Sequence, residues 1–406
     1  MNAESTREAL DVASLAGDIL LASGAEIFRV EETIERIARA YGVSSSDAFV
    51  LSSGIFLTAE SGKKQEFARV RHIPLSAARL DKVTAVNQLS REIEEGLHTP
   101  KEAKAWLLDI QRMPEKARWH QVLASGIGSA CFCFLFGGDV VDSMVAFLSG
   151  FVLYFYLLYL LRGRMSKIAT NISGGALVTL IAVFLYQSGI GHHLDKVIIG
   201  SIIPLVPGVN FTNAIRDVAD QDYIAGSVRM LNLLHRTWRR ACDHRVPSTG
   251  RRTAAMSETI RLIAEFFAAC VGTIAFALLF QVPRKYYLYC GLAGACGWIC
   301  YKLILPYTTE PVSIFFATVL VIILSRSFAV YKRCPVTVFL IAGIFPLVPG
   351  GGIYWTAFYV VTNDLERAGA RGFLTLKDAV AIVLGILFVF EFPQSWFRKV
   401  LTDKSK

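Results

Sequence analysis

The chain has 406 residues, of which 53% are apolar and only 18% are charged, and its formal net charge is +9. This balance excludes an ordinary soluble protein and predicts a polytopic α-helical membrane protein. Residues 1–114 hold 14 basic and 17 acidic residues (net −3), whereas residues 115–406 hold 28 and 16 (net +12). The basic excess therefore lies in the apolar part, where it fits flanks that face anionic lipid better than a nucleic-acid groove.

The polar front end, residues 1–114, is predicted to form a small α+β domain. Residues 26–41 place apolar side chains at helical spacing opposite charged ones, which predicts an amphipathic helix. Two β-rich runs, 49–60 and 65–73, are joined by SGKK and predict a hairpin. The acid-rich N-terminus lacks a basic n-region, so no cleavable signal peptide is expected.

Two further helices are predicted after the hairpin. One has an apolar stripe that runs from Leu80 to Leu97, and the other opens on the capping box Thr99-Pro100-Lys101-Glu102. His72, Asp47, Ser52 and Ser53 could form a hydrolytic set on paper, but their spacing does not place a nucleophile beside a base. We therefore do not expect an enzyme.

The eight cysteines lie mainly in apolar runs, and no Cys-x-x-Cys pairs with histidine at metal spacing. They are interpreted as structural thiols, and neither a metal nor a cofactor is expected.

From Trp119 onward, apolar stretches of about 20 residues recur, each long enough to cross a bilayer core of roughly 30 Å. Nine spans are clear: 119–137, 141–161, 168–188, 195–215, 259–280, 286–303, 311–330, 335–361 and 375–392. Residues 223–242 form a doubtful tenth span, because a central arginine costs roughly 2.5–3.5 kcal/mol on insertion scales and four arginines lie there.

The pentapeptide PLVPG occurs at 204–208 and again at 346–350, an offset of 142 residues that also superposes four predicted spans of each half. We therefore expect two structural repeats, 115–245 and 246–406. The basic loop 162–167 is typical of a cytoplasmic loop and places the front domain in the cytoplasm. Charge bias favours ten spans in two halves of inverted topology, whereas hydropathy favours nine.

Each PLVPG should interrupt a membrane helix, because proline removes a backbone donor and clashes with the preceding turn. Freed carbonyls suit an ammonium group and half-helix N-termini suit a carboxylate, so two facing breaks would bind a small zwitterion or anion. One copy alone would be interpreted as a kink. The predicted substrate-binding residues are Asn171, Pro204, Pro207, Gly208, Asn210, Asn213, Asp217, Pro346, Pro349, Gly350, Tyr354 and Trp355. Asp217 and Glu265 are the candidates for proton coupling.

These residues resemble the threonine/serine exporter family. The resemblance rests on Ser23-Gly24-Ala25-Glu26, on ARWHQVLASGIGSACFCFLFGG (117–138), and on the first PLVPG followed by Asn213, Asp217 and Gly226-x-x-Arg229. The second half, from residue 266 onward, resembles the smaller subunit that some bacteria encode separately. In one departure, the stretch MLNLLHRTWRRACDHR (230–245) is polar where the family has an apolar span.

The resemblance implies a multi-pass protein of the cell membrane that exports small hydroxy amino acids, driven by the proton motive force. It implies a cytoplasmic N-terminal domain, ten spans, and a small-molecule substrate and protons as partners in the bilayer. Related two-subunit systems are associated with succinate export, so export of a small dicarboxylate stays an alternative, as does a passive channel. A homo-oligomer is left open.

Overall fold

The computed structural model describes residues 3–43, 45–51, 53–61, 65–73, 78–161, 166–205 and 258–393, together with Trp396. The elements of the front part are the helices α1 (Ala3–Ala22), α2 (Ile27–Ala40), α3 (Leu80–Glu94) and α4 (Pro100–Arg112) and the strands β1 (Ser45–Leu51), β2 (Gly54–Ser61) and β3 (Gln65–His72).

The four front helices pack around one apolar core with one face of the sheet. Val30, Ile34 and Ile37 of α2 are buried, as the spacing of its apolar residues predicts. At the start of α4, Thr99 accepts from the Glu102 amide while the Glu102 carboxylate accepts from the Thr99 amide, so the predicted capping box is confirmed. The helix α1, which the sequence reading did not identify, closes this core with Ala13 and Ala16 fully buried.

The sheet has three antiparallel strands in the order β1-β2-β3, and the hairpin of β2 and β3 is confirmed. The reading of 49–60 as one β-rich run is wrong, because the chain turns at Ser53. Leu51 pairs with Gly54, and β1 folds back along β2. No break stands out in the apolar pattern of 49–60, so the sequence does not separate the two strands.

The membrane part consists of ten helices within the described residues. They are α5 (Arg118–Leu135), α6 (Val140–Phe155), α7 (Lys167–Gln187), α8 (Leu194–Ile202), α9 (Glu258–Leu279), α10 (Tyr287–Ile304), α11 (Glu310–Lys332), α12 (Thr337–Gly343), α13 (Gly350–Val361) and α14 (Leu365–Phe390). A π-helical segment, Tyr156–Leu161, extends α6.

Six of these helices are long and apolar enough to cross a membrane, and α12 with α13 forms a seventh candidate, bent by 49°. They correspond to the predicted spans 141–161, 168–188, 259–280, 286–303, 311–330, 335–361 and 375–392. The predicted span 119–137 is helical as α5 but does not reach the same hydropathy, because the first turn of α5 carries Arg118, His120 and Gln121. The span 195–215 begins as α8, whereas its later residues and the stretch 223–242 lie outside the described residues.

Within the described residues, the helices α5 to α8 correspond in order to the helices α9 to α12. In each half a short helix, α8 or α12, is followed by a 3₁₀ turn, Ile203–Leu205 or Phe345–Leu347, that contains the first proline of PLVPG. These two turns are separated by the same 142 residues as the two pentapeptides. The contacts of α6 with α5, α7 and α8 also match those of α10 with α9, α11 and α12.

The front part sits on one end of the helical bundle, called here the domain end. The apolar core of α1–α4 continues into Val282, Cys290, Cys334 and Phe339, which lie at the ends of α9 to α12. The Leu80 amide donates to the Phe280 carbonyl and the Arg91 side chain donates to the Arg333 carbonyl. The opposite end of the bundle is called the distal end.

Candidate functional site

The second PLVPG lines a small cavity. Pro346 is the middle residue of the 3₁₀ turn that follows α12. The helix α13 begins at Gly350, after a tight turn in which the Gly350 amide donates to the Val348 carbonyl. Pro346, Pro349, Gly351 and Gly352 all face a cavity of about 120 Å³. This volume is well below the roughly 300–1,000 Å³ of pockets for drug-sized ligands, so the cavity suits only a small solute.

Charged side chains from two neighbouring helices face the same cavity. Asp378 and Arg371 come from α14, and Glu310 comes from the first turn of α11. Asp378 is only 3% exposed, and its Oδ1 is buried with no hydrogen-bond partner in the described part of the chain. A buried carboxylate oxygen without a partner is costly, so this group points to a ligand that the cavity would take.

The backbone at the start of α13 adds donors. Gly350, Gly351 and Gly352 open the helix, and the first N–H groups of a helix have no acceptor within it. Such a terminus carries partial positive charge and favours an anionic group. A Cβ at position 352 would come within 2.4 Å of Thr375 Oγ1, so only glycine allows α13 to lie this close to α14.

The cavity lies between the middle of the bundle and the distal end. Phe136, at the distal end of α5, and Tyr301, in the last turn of α10, both line it. Asp378 lies midway along α14, whose end is anchored near the domain end, where the Arg326 guanidinium donates to the Val389 carbonyl.

Glu265 forms a second polar layer behind the cavity. Its side chain is 1% exposed and accepts hydrogen bonds from the Arg261 guanidinium at 3.1 Å and from Trp298 Nε1 at 3.0 Å, with Lys302 Nζ at 3.5 Å. Trp298 itself lines the cavity. Glu265 is thus buried in a network with two cations and holds the Trp298 indole in place, instead of meeting the membrane interface.

The first break lies against the second. Ile203, which begins the first 3₁₀ turn, and Phe345, which begins the second, belong to one buried cluster together with Phe132 and Phe276. The rings of Phe276 and Phe345 stack with centroids 4.0 Å apart. A Cβ at Gly351 would lie 3.9 Å from Ile199 of α8, so the helix that follows the second break leans on the half-helix that precedes the first.

The structure describes seven of the predicted substrate-binding residues. Pro346 and Pro349 line the cavity, and Gly350 begins α13 beside it. Tyr354 and Trp355 follow on α13, where Tyr354 packs against the apolar cluster of α6 and α8. Pro204 lies in the first 3₁₀ turn, and Asn171 lies on α7, one turn before Gly174, which faces Leu205. Pro207, Gly208, Asn210, Asn213 and Asp217 lie outside the described residues, and all these site assignments stay predictions.

Sequence reasoning missed Asp378, Arg371 and Glu310. Asp378 falls inside the predicted span 375–392, and an acid within a membrane helix is a functional candidate by default. Arg371 lies before the predicted span 375–392, whereas α14 already begins at Leu365 and includes it. The proposed hydrolytic set is not assembled by the sheet, since Asp47 lies opposite Thr58 and His72 lies opposite Gly54 at the other end of β2.

One group of side chains at the distal end has the geometry of a metal site. Donor atoms of Asp139, Asp142 and His192 lie within 4.8 Å of one another. The Asp142 carboxylate, however, already accepts from the backbone amides of Asp139, His192 and His193 and is bonded to His193 Nδ1 at 2.7 Å. These hydrogen bonds occupy both oxygens of the Asp142 carboxylate. The group therefore holds the start of α6 against the start of α8, and we call it the clasp. Asp139 and Asp142 lie near the start of the predicted span 141–161, where solvation would be expected, but Asp142 is fully buried.

Two family models match the chain. One, described as a putative threonine/serine exporter, matches residues 11–237, and the other, described as a threonine/serine exporter, matches residues 265–391. A threonine/serine exporter of Corynebacterium glutamicum is 24% identical over 404 residues, which cover 93% of this chain and 81% of that protein. No solved structure matches the chain significantly.

About half of the chain also matches proteins named "Probable succinate transporter subunit YjjP". The one from Escherichia coli (strain K12) is 26% identical over 220 residues, which cover 54% of this chain and 85% of that protein. The one from Klebsiella aerogenes is 27% identical over 200 residues, which cover 49% of this chain and 77% of that protein.

Proposed function

Because the chain belongs to the threonine/serine exporter family, we propose that it exports threonine and serine through the cavity at the second proline break. In this proposal the substrate crosses the cell membrane without chemical conversion, and the two proline-broken helices hold it inside the helical bundle. The small volume of the cavity is consistent with a substrate the size of a hydroxy amino acid.

The charges that line the cavity favour a zwitterionic amino acid over a dicarboxylate as the substrate. Two carboxylates, Asp378 and Glu310, face one guanidinium, Arg371. A zwitterion can place its ammonium group beside the acids and its carboxylate beside Arg371 and the first amides of α13. A dicarboxylate would bring two negative charges to a lining that already has an excess of acids, which disfavours succinate.

The proposal includes inverted repeats. The helices α5 and α9 correspond to each other at the 142-residue offset and pack side by side. The Lys116 ammonium, just before α5, donates to the Val282 carbonyl, just after α9, and the Lys116 amide donates to Gln281 Oε1 at 3.0 Å. The start of one helix thus meets the end of its counterpart, which supports an antiparallel relation between the halves.

Ten spans fit this arrangement better than nine. The start of α8 is clasped to Asp142 at the distal end, and α9 runs from the distal end to the domain end. The chain between Leu194 and Glu258 therefore crosses the bilayer an even number of times. This parity supports counting both 195–215 and 223–242 as spans, with residues 1–114 as a cytoplasmic domain and repeats at 115–245 and 246–406.

The test uses purified protein in liposomes that are preloaded with radiolabelled threonine, serine or succinate. We expect threonine and serine to be released when a proton gradient is imposed, and the release to stop when a protonophore is added. Pro346→Ala should insert normally and lose most of this release, because it lets α12 continue through the break. Pro306→Ala is the matched control, since Pro306 lies in an exposed 3₁₀ turn that does not line the cavity.

Two results would contradict the proposal. Release of succinate without release of threonine or serine would support the dicarboxylate alternative. Flux that follows the substrate gradient and continues with the protonophore would support a passive channel. If Pro346→Ala released the substrates as well as the parent protein does, the second break would be a kink that shapes helix packing and would not form the substrate site.

A further inference from the structure

Asp378 is the one buried acid of the cavity that has no cation bonded to it within the described residues. Glu265, the other deeply buried acid of this region, is held by Arg261 and Lys302, and Glu310 is partly exposed at the start of α11. Asp378 Oδ1 has no hydrogen-bond partner in the described part of the chain and lines the cavity with Arg371, seven residues earlier on the same face of α14.

The other groups around Asp378 do not neutralise it. Glu310 from α11 adds negative charge, Tyr301 from α10 is neutral, and α13 contributes no charged side chain. On α14 itself, Arg371 and Lys377 interact with Asp378 through space, without a hydrogen bond to it. A carboxylate buried in this way stays costly until a proton or another cation joins it.

We propose that Asp378 is the residue at which substrate and proton exchange, so that its carboxyl group binds the substrate ammonium group in one state and a proton in the other. This inference rests on the proposed export of amino acids. When the amino acid enters, the protonated carboxyl group loses its proton to water and the carboxylate pairs with the ammonium group. One proton is released for each amino acid bound, and charge balances.

Competition between the proton and the substrate ammonium group for the Asp378 carboxylate would couple proton entry to amino-acid export. The site cannot hold the proton and the ammonium group together, so a substrate that leaves at the distal side must be replaced by a proton before the empty site returns. The proton carried inward then drives the amino acid outward. No second titrating group is needed, and Glu265 acts only by positioning Trp298.

The first experiment measures proton release on L-threonine binding to the purified full chain, by calorimetry in two buffers of different ionisation enthalpy. We expect close to one proton released per threonine at acidic pH, and an apparent Kd that rises up to tenfold per pH unit as the pH falls. Asp378→Asn should bind threonine more weakly, with a Kd independent of pH and with no proton release. Glu366→Gln, which removes an exposed acid in the first turn of α14 that does not line the cavity, should keep proton release and is the matched control.

A second measurement requires no variant. A hydrophobic carbodiimide reacts with protonated buried carboxyl groups, and peptide mass spectrometry locates the adduct. We expect modification of Asp378 to fall several-fold when L-threonine is present, with no change when N-acetyl-L-threonine, which keeps the carboxylate but lacks the ammonium group, is added at the same concentration.

The outcomes separate this inference from the proposed function. If Asp378→Asn keeps proton release, or if threonine does not protect Asp378 from the carbodiimide while protonophore-sensitive threonine export persists, the assignment of Asp378 is wrong and the export proposal stands. If the parent protein neither binds nor releases threonine or serine, the proposed function itself fails.

Discussion

At the scale of single residues, the clasp of Asp142 shows how one buried carboxylate can join the starts of two helices, α6 and α8. Its two oxygens accept from the amide that precedes α6 and from two amides and a ring nitrogen that precede α8. Gly191, with φ of 96°, bends the chain toward this carboxylate. Because α8 leads directly to the first proline break, the clasp fixes where that half-helix begins.

His192 makes the outer part of the clasp sensitive to pH. Its Nδ1 is hydrogen-bonded to the Asp139 carboxylate, and this contact raises the pKa of His192 above its ordinary value of about 6.5. A raised pKa in the folded state means that the stabilisation is fully present at acidic pH and is lost as the pH rises through the folded pKa. We expect His192→Gln to lower the thermal midpoint more at pH 5.5 than at pH 8, measured by intrinsic fluorescence in detergent.

The control for this prediction removes the charge and keeps the helix cap. Asp139→Asn preserves an N-cap side chain for α6, because asparagine caps as well as aspartate does. In that background, His192→Gln should have the same effect at both pH values. A pH-dependent difference that persists in the Asp139→Asn background would show that another group is responsible.

The sequence predicted those site residues that act through the backbone. It missed those whose role depends on how deeply they lie in the membrane. Pro346 and Pro349 stand out because proline disrupts any helix, and both line the cavity. Asp378 did not stand out, because its distance from a membrane end depends on where α14 begins, and hydropathy alone placed that start ten residues too late. Glu265 was identified as unusual, but its partners on other helices could not be inferred from sequence order.

At the scale of elements, the helix pairs α5–α6 and α9–α10 each come together at a glycine and a hydroxyl. A Cβ at Gly150 of α6 would lie 2.1 Å from Ser129 Oγ of α5, and a Cβ at Gly294 of α10 would lie 2.2 Å from Thr273 Oγ1 of α9. The pair α9–α10 thus repeats the close approach of the pair α5–α6. Small residues at helix crossings are typical of membrane proteins, where close backbone packing replaces the hydrophobic effect.

Gly294→Ala tests this close approach. The added methyl group would meet the Thr273 side chain far inside van der Waals distance, so we expect a loss of about 1–3 kcal/mol in the free energy of unfolding. Gly175→Ala is the matched control, because a Cβ there meets nothing within 4 Å and alanine stabilises a helix relative to glycine by about 0.4–1 kcal/mol. Thermal midpoints in detergent should fall for the first variant and stay or rise for the second. Equal shifts would contradict the packing argument.

A helix or strand could be predicted from the sequence where a single pattern of residues determines it. Seven predicted spans reappear because 20 apolar residues in a row have few alternatives to a membrane helix. The strands β1 and β2 were merged because their turn is very short and both flanks are β-prone. The packing of α5 between α6 and α9 explains its polar and small residues, but that reason is visible only once the neighbours are known.

At the scale of the whole molecule, the helices α1 to α4 share a core with the ends of α9 to α12. Val338 and Phe339 of α12 are fully buried against this core, only seven residues before the break at Pro346. Lys116 joins the linker to the bundle, with its ammonium group donating to the Tyr287 hydroxyl at 2.7 Å and to the Val282 carbonyl. The domain therefore contacts the half-helix that leads to the cavity.

Lys116 gives this junction a pH dependence. Burial lowers the pKa of its ammonium group from 10.5 to about 8. Between these two values the unfolded chain binds more protons than the folded chain, so the folded state gains stability as the pH rises from about 8 toward 10. Lys116→Met keeps an apolar stem beside Tyr287 and should remove this gain. The measurement is the thermal midpoint at pH 7.5, 8.5 and 9.5, and an unchanged slope would assign the dependence to other groups.

The direction of the helices predicts which positions share a side of the membrane. Ser188 follows α7, Thr308 lies between α10 and α11, and Glu258 begins α9, so all three lie at the distal end, whereas Lys101 lies in the front domain. Single cysteines at the first three positions should react with an impermeant maleimide in intact cells, and Lys101→Cys should react only after permeabilisation. The parent protein supplies the background, because its cysteines in the described residues are buried or half-buried. If Ser188→Cys and Glu258→Cys reacted from opposite sides, the chain between them would cross an odd number of times, which would exclude ten spans.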